Sequence, residues 1–229
     1  MTISLPRSAA EKTTPPLWHA ATWQDYIALR DALRDDASQG RMRLDFDQNR
    51  MRVSMGGEGI NHAKYSDLFT TMLFLWAIQH PDQVFDSIGR CLIEQPETQT
   101  CAPDLVLYVG ADSPQWKEGE PRKIDLTRCR VPDLVGEISD TTLASDLDEQ
   151  KHLYEALGIP EYWVVDTQGK RVFAFQLQDG KYHLIEQSNV LAGLPISLLN
   201  EAIDRMVKGT NTSAAAWFSG AIQELSNPS

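Results

Sequence analysis

The chain has 229 residues, enough for one domain with a substantial core, and 21 Lys and Arg against 32 Asp and Glu give a formal net charge of −11. That balance argues against loose, nonspecific nucleic-acid binding, which rests on basic surface, although a local basic strip can work against an acidic background. No apolar stretch is long enough to span a membrane, and the polar residues 1–16 lack the apolar core of a secretion signal. Cys91, Cys101 and Cys129 are odd in number and lack CxxC spacing, which fits reduced thiols of a cytoplasmic protein better than a disulfide frame or a zinc knuckle.

The pattern predicts a helix over 22–34, opened by a Thr22/Asp25 capping box and made amphipathic by Trp23, Tyr26, Ile27 and Leu33. A hairpin follows. Met42, Leu44 and Phe46 alternate with Arg41, Arg43 and Asp45, and Met51, Val53 and Met55 alternate with Arg50, Arg52 and Ser54. A period of two assigns the apolar set to a core and the charged set to water, with Asp45 in a surface ion pair. The glycine-rich break at 56–59 lacks the Lys-Ser/Thr of a phosphate loop. A longer helix is predicted over 61–79 with Asn61 as N-cap and Leu68, Met72, Leu75 and Ile78 facing inward.

Short strands are predicted at 84–85 and 91–94, leading to an apolar run at 105–109 that opens on Pro103-Asp104. Residues 110–130 read as a polar connection, 134–138 as a second buried strand containing Glu137, and 143–157 as one helix ended by Gly158 and Pro160. Strands at 162–166, 171–177 and 182–186 are separated by turns at Gly169 and Asp179-Gly180. Pro195 starts another helix, and an Ala-rich helix follows Gly209. The division expected is a tail over 1–21, one α/β (α+β) domain over 22–209, and a helical extension over 210–229.

Three charges stand where apolar residues are expected. Asp104 opens one apolar strand and Glu137 interrupts another. Lys151 shares a helical stripe with Leu147, Tyr154 and Gly158. Unpaired buried charges are costly, so a convergent set implies a compensated site, often a metal site. For each residue alone a structural role remains open: a turn cap for Asp104, an ion-pair network for Glu137, a packed snorkelling stem for Lys151.

Pro103-Asp104-Leu105-Val106, Pro132-Asp133-Leu134-Val135-Gly136-Glu137-Ile138-Ser139, Asp146 with Lys151, and the run from Tyr154 through Gly158-Ile159-Pro160-Glu161-Tyr162-Trp163 to Asp166 carry a family pattern in order and spacing. The chain resembles the Uma-type family of predicted restriction endonucleases, within the PD-(D/E)XK nuclease superfamily. The resemblance is strongest over 104–166 and looser over 22–109. It implies a restriction-endonuclease-like mixed sheet flanked by helices, with Asp104 and Glu137 as metal ligands. The superfamily's lysine lies two residues after the glutamate, where this chain has Ser139. The resemblance therefore assigns the lysine's role to Lys151.

Carboxylate oxygens suit Mg²⁺ or Mn²⁺, and the Ile138 backbone carbonyl is a further candidate ligand. His62 and Asp146 are accessory candidates, with a first-turn helix role and a helix-start role as their structural alternatives. Arg128 and Arg130, in the basic connection, are candidate phosphate contacts, with a solvated surface as the alternative. The expectation is a metal-dependent endonuclease acting on DNA, duplex in the first instance. A homodimer fits cleavage of two strands, with Trp217 and Phe218 docking a C-terminal helix on the partner. The alternative is a catalytically inactive nuclease fold serving as a nucleic-acid-binding or regulatory module.

Overall fold

The two apolar runs that carry Asp104 and Glu137 become adjacent strands of one sheet. A computed structural model describes residues 18–35, 42–55 and 59–226. The tail over 1–17, Arg41 and the glycine-rich break at 56–58 lie outside the described residues. In chain order the elements are β1 (His19–Ala20), α1 (Trp23–Asp35), β2 (Met42–Asp47), β3 (Arg50–Met55), α2 (Ile60–Gln79), β4 (Phe85–Ser87), β5 (Ile93–Gln95), β6 (Gln99–Cys101) and β7 (Leu105–Val109). Then come β8 (Ile124–Asp125), β9 (Leu134–Ser139), α3 (Leu143–Leu147), α4 (Glu149–Leu157), β10 (Glu161–Asp166), β11 (Arg171–Gln178), β12 (Lys181–Ile185), α5 (Ile196–Lys208) and α6 (Asn211–Ser226). Among the described residues no helix is long and apolar enough to cross a membrane.

The strands form two mixed sheets, with orders β1-β3-β2-β6-β5-β8 and β12-β11-β10-β9-β7-β4. In the second, β9 runs parallel to β10 through a helical crossover and antiparallel to β7. Alternation sends Leu105, Leu107, Leu134 and Ile138 to one face, where α2, α5 and α6 cover them with Phe69, Met72, Trp76, Ile203 and Phe218. Val106, Tyr108, Val135, Tyr162 and Phe175 take the opposite face, against Leu153 and Tyr154 of α4 and Ile93, Cys101 and Ile124 of the first sheet. The fold is the mixed α/β class expected.

Several local expectations hold. Thr22 and Asp25 close the capping box, with Thr22 N–H donating to Asp25 Oδ2 at 2.7 Å and Asp25 N–H to Thr22 Oγ1 at 3.2 Å. Gly158 ends α4 in the left-handed region at φ 73°, and Pro195 caps α5.

Others are corrected. α2 is capped by Gly59, so Asn61 lies inside the first turn. Ile78 is exposed, and Leu68, Phe69, Met72, Leu73 and Trp76 form the inward stripe. The helix expected over 143–157 is two helices, because Asp148 leaves helical geometry at φ −122°, ψ −87°. β1, β6 and β8 are strands the sequence pattern did not single out.

The largest correction concerns the hairpin. Its apolar face packs on α1 through Tyr26, Leu44, Phe46 and Met51. The Asp45–Arg52 part of its charged face is interior, and Arg43 is only partly open to water. Asp45 is 0 % exposed and Arg52 4 %, because the first sheet lays this face against β9 and the α3–α4 segment. Asp45 sits directly across the ladder from Arg52. Phe218, expected to dock a partner, is fully buried against α2 and α5 in the chain's own core, and Trp217 lies 4.3 Å under the Arg205 guanidinium.

Candidate active site

The carboxylates meet at the end of the β7–β9 ladder. The last paired residues are Leu105 and Gly136, so one further step in register sets Asp104 opposite Glu137, and the next sets Pro103 opposite Ile138. Residues opposite each other in an antiparallel pair share a face. Proline brings no N–H, so the Ile138 carbonyl receives no ladder bond from that position. The Ile138 N–H instead donates to Asp104 Oδ2 at 2.8 Å. Gly89 packs over this corner, and a Cβ there would stand 2.3 Å from the Asp104 carbonyl oxygen. Only glycine fits without a shift.

Asp104 Oδ2 also lies 3.0 Å from His62 Nε2, so the first turn of α2 reaches the site. Burial pushes the Asp104 carboxyl up, but His62, the Arg43 charge and the Ile138 N–H together hold it below its ordinary value. Glu137 behaves in the opposite way. It is 3 % exposed, and burial drives it up to about 7 against the pull of Arg43, with the nearby negative charges of Asp104 and Asp146 adding to the rise.

Four donors converge on Glu137. Arg43 approaches with both terminal nitrogens, Nη2 at 2.7 Å from Oε1 and Nη1 at 3.3 Å from Oε2. Tyr154 Oη donates to Oε1 at 2.5 Å and Gln150 Nε2 to the same oxygen at 3.4 Å. Behind them, Arg43 Nε contacts Asp45 at 3.3 Å, and Arg52 holds Asp45 Oδ2 with Nη2 at 2.6 Å and Nε at 3.0 Å. Arg52 also donates to Gln150 Oε1 at 3.1 Å and to Ser145 Oγ at 2.8 Å. Burial raises Asp45, yet the two arginines keep it below the usual carboxylate range. The first sheet thus supplies the positive charge that makes a buried Glu137 tolerable.

The structure brings Asp104, Glu137, Ile138 and His62 together. Asp146 lies behind Glu137, buried, accepting from Ser139 and Thr142 hydroxyls at 2.6 Å each. Burial raises it despite those bonds. Lys151 goes elsewhere. Its ammonium sits 4.6 Å over the Phe175 ring, and among the described residues no ion pair joins it to Asp104 or Glu137. The break at Asp148 turns α4 so that Gln150 and Tyr154, one helical turn apart, face the glutamate. Arg130 binds Asp133 at 2.8 Å and the Val109 carbonyl at 3.0 Å, at the opposite end of β7 from Asp104. Five residues of strand separate those ends, about 17 Å at the usual rise. Arg128 pairs with Glu120 at 2.8 Å on an exposed surface.

The sequence pattern assigned Arg43, Arg52 and Asp45 to a solvated face and gave no site role to Gln150, Tyr154 or Gly89. The signal for the first three was an aspartate set among arginines on one strand face, a prepaired set that a solvated face does not need.

The chemistry of the donor set suits a hard divalent ion: two carboxylates and a carbonyl, all oxygen. Among the described residues no three His, Cys, Asp or Glu side chains are grouped to hold a metal by themselves. An ion here would therefore keep waters in its shell, as Mg²⁺ does.

A family model described as "Putative restriction endonuclease", Uma2, matches residues 23–203. The chain belongs to the Uma2 family. No curated protein sequence matches it. Among solved structures, one titled as a putative nuclease belonging to DUF820 from Anabaena variabilis ATCC 29413 superposes with a TM-score of 0.52 at 13 % identity, covering 80 % of this chain and 98 % of the other. That likeness is one of fold. The Uma2 match covers the strands from β2 to β12 and ends within α5, so it includes the hairpin arginines as well as the carboxylates.

Proposed function

We propose that the chain hydrolyses phosphodiester bonds of duplex DNA at a centre built from Asp104, Glu137 and the Ile138 carbonyl, with Mg²⁺ or Mn²⁺ as cofactor. The observation that carries this is the carboxylate pair, opposite in register at a sheet end and pushed apart in proton affinity. Pairs whose environments separate their proton affinities are suited to divided acid and base roles. The family match supports a nuclease, and the fold is consistent with one.

A bound divalent ion would supply Lewis-acid polarisation of the scissile phosphate and a more acidic water. Asp104, held ionised, and the Ile138 carbonyl would be its oxygen ligands together with Glu137. The Glu137 carboxyl can also take up or release a proton near neutral pH at its less occupied Oε2, with Tyr154 Oη fixing its orientation through Oε1. His62 orients Asp104 through its 3.0 Å contact. Lys151 is assigned no role in the chemistry. Cutting both strands takes two sites, which a homodimer would bring together; a monomer by light scattering on DNA would remove that part of the proposal.

Supercoiled plasmid incubated with Mg²⁺ or Mn²⁺ tests the reading. The wild type nicks it, and Glu137→Ala leaves no nicking above a protein-free control. Equal nicking by both, or none by either across duplex, single-stranded and RNA substrates, overturns it.

A second reading has its own support. Glu137 is already engaged by four donors and Lys151 is turned to Phe175, which favours a nuclease fold retained as a binding module. Thermal melting separates the two. A rise in Tm with Mn²⁺ that Glu137→Ala removes favours the catalytic centre, and no rise favours the binding module.

A further inference from the structure

We propose that Arg43 is a resident counter-cation of Glu137, a latch that a divalent ion must displace, so that this arginine sets the metal affinity of the site. The inference rests on the metal-centre reading above and deepens it. A carboxylate offers about four lone-pair directions on its two oxygens. Glu137 has four donors: Arg43 Nη1, Arg43 Nη2, Tyr154 Oη and Gln150 Nε2. Three of them crowd Oε1, so an ion enters at Oε2, where among the described residues Arg43 Nη1 stands at 3.3 Å and its charge opposes the ion until the fork withdraws.

The geometry says which donor leaves. Tyr154 and Gln150 are 0 % exposed, packed on α4, and Gln150 is pinned by Arg52 at 3.1 Å. Arg43 belongs to the other sheet, and its side chain is 25 % exposed, so it alone has a path to water. A guanidinium cannot give up its proton, so the exchange sets a dication in place of a monocation on Glu137. Arg43 loses one partner and keeps another, because its Nε contacts Asp45 at 3.3 Å. Asp45 itself stays held by Arg52 at 2.6 Å. With the ion on Glu137 and Arg43 turned toward Asp45 and water, no buried carboxylate is left without a positive partner, which limits the cost of the motion.

Titration calorimetry with Mn²⁺ in the absence of DNA tests this on the full chain. Arg43→Met is expected to tighten Mn²⁺ binding at least tenfold, Arg43→Lys to give a smaller gain because a point charge replaces the fork, and Glu137→Gln added to Arg43→Met to abolish the gain. Unchanged or weaker binding in Arg43→Met, where Asp104→Asn still removes the ion, overturns the latch and leaves the metal centre standing. No binding by wild type or Arg43→Met overturns both. Should the arginine variants fail to fold, the wild type alone decides the matter. Its Arg43 Nε–H resonance is expected to shift and sharpen toward free-arginine values as Mg²⁺ is added, and a resonance that stays in place while the ion binds contradicts the latch.

Discussion

Replacing Asp45 by alanine separates a buried charge cluster from a solvated hairpin face. Asp45 is 0 % exposed and receives three contacts: Arg52 Nη2 at 2.6 Å, Arg52 Nε at 3.0 Å and Arg43 Nε at 3.3 Å. Arg43 and Arg52 repel each other, and Asp45 is the charge between them. Removing one partner of a buried pair typically costs about 3–5 kcal/mol, whereas a surface pair is worth about 0–1 kcal/mol. For a chain of this size roughly 2–4 °C of melting temperature accompanies each kcal/mol, so the loss corresponds to roughly 6–20 °C. Equilibrium unfolding in guanidinium chloride, with melting followed by circular dichroism in low and high NaCl, measures it. Salt screens a surface pair and leaves a buried one nearly unaffected. A loss below about 1 kcal/mol, or one that salt erases, refutes the buried-face account. Asp45→Leu combined with Arg52→Met is expected to recover part of the loss, since apolar replacement of a buried pair is often close to neutral.

Glu137 makes stability depend on pH. Its ordinary value of 4.5 rises to about 7 in the fold, so its stabilising contribution is complete below pH 4.5 and is lost as pH climbs through 7. At about 1.4 kcal/mol per pH unit the gap corresponds to roughly 3 kcal/mol. Denaturant curves between pH 5 and 8 should fall more steeply for wild type than for Glu137→Gln, and parallel curves would contradict the raised proton affinity. Gly89→Ala sets a methyl against the Asp104 backbone and should cost about 1–3 kcal/mol while weakening Mn²⁺ binding; a variant unchanged in both would show that the corner is slack. Lys151→Ala should leave plasmid nicking within a few-fold of wild type and Gln150→Ala should not, and the reverse ranking in initial rates would return the lysine to the site.

What the sequence disclosed and what it withheld follow the range of the interactions. The Asp104 and Glu137 strands were legible because apolar runs of five or six residues, bounded by Pro103 and Pro132, have few other readings. The Thr22/Asp25 cap and the Gly158 terminus were legible because both depend on neighbours three or four residues away. The charged hairpin face was misread because Arg43, Asp45 and Arg52 alternate as a solvated face does. Only the packing of one sheet on the other, 94 residues apart in the Arg43–Glu137 contact, makes that face an interior. Lys151 was misdirected by a single residue. The stripe Leu147, Lys151, Tyr154 assumed one continuous helix, and the break at Asp148 makes Gln150, Leu153 and Tyr154 the inward set. Gly89 gave no local cue, since its constraint is the backbone of a strand fifteen positions on.

Anomalous scattering from a crystal soaked in Mn²⁺ locates the ion and the Arg43 side chain together. One peak is expected, coordinated by the carboxylates of Asp104 and Glu137 and the Ile138 carbonyl, with the Arg43 fork withdrawn from Glu137 toward Asp45. Peaks confined to surface carboxylates, with Arg43 still seated on both oxygens of Glu137, would contradict it.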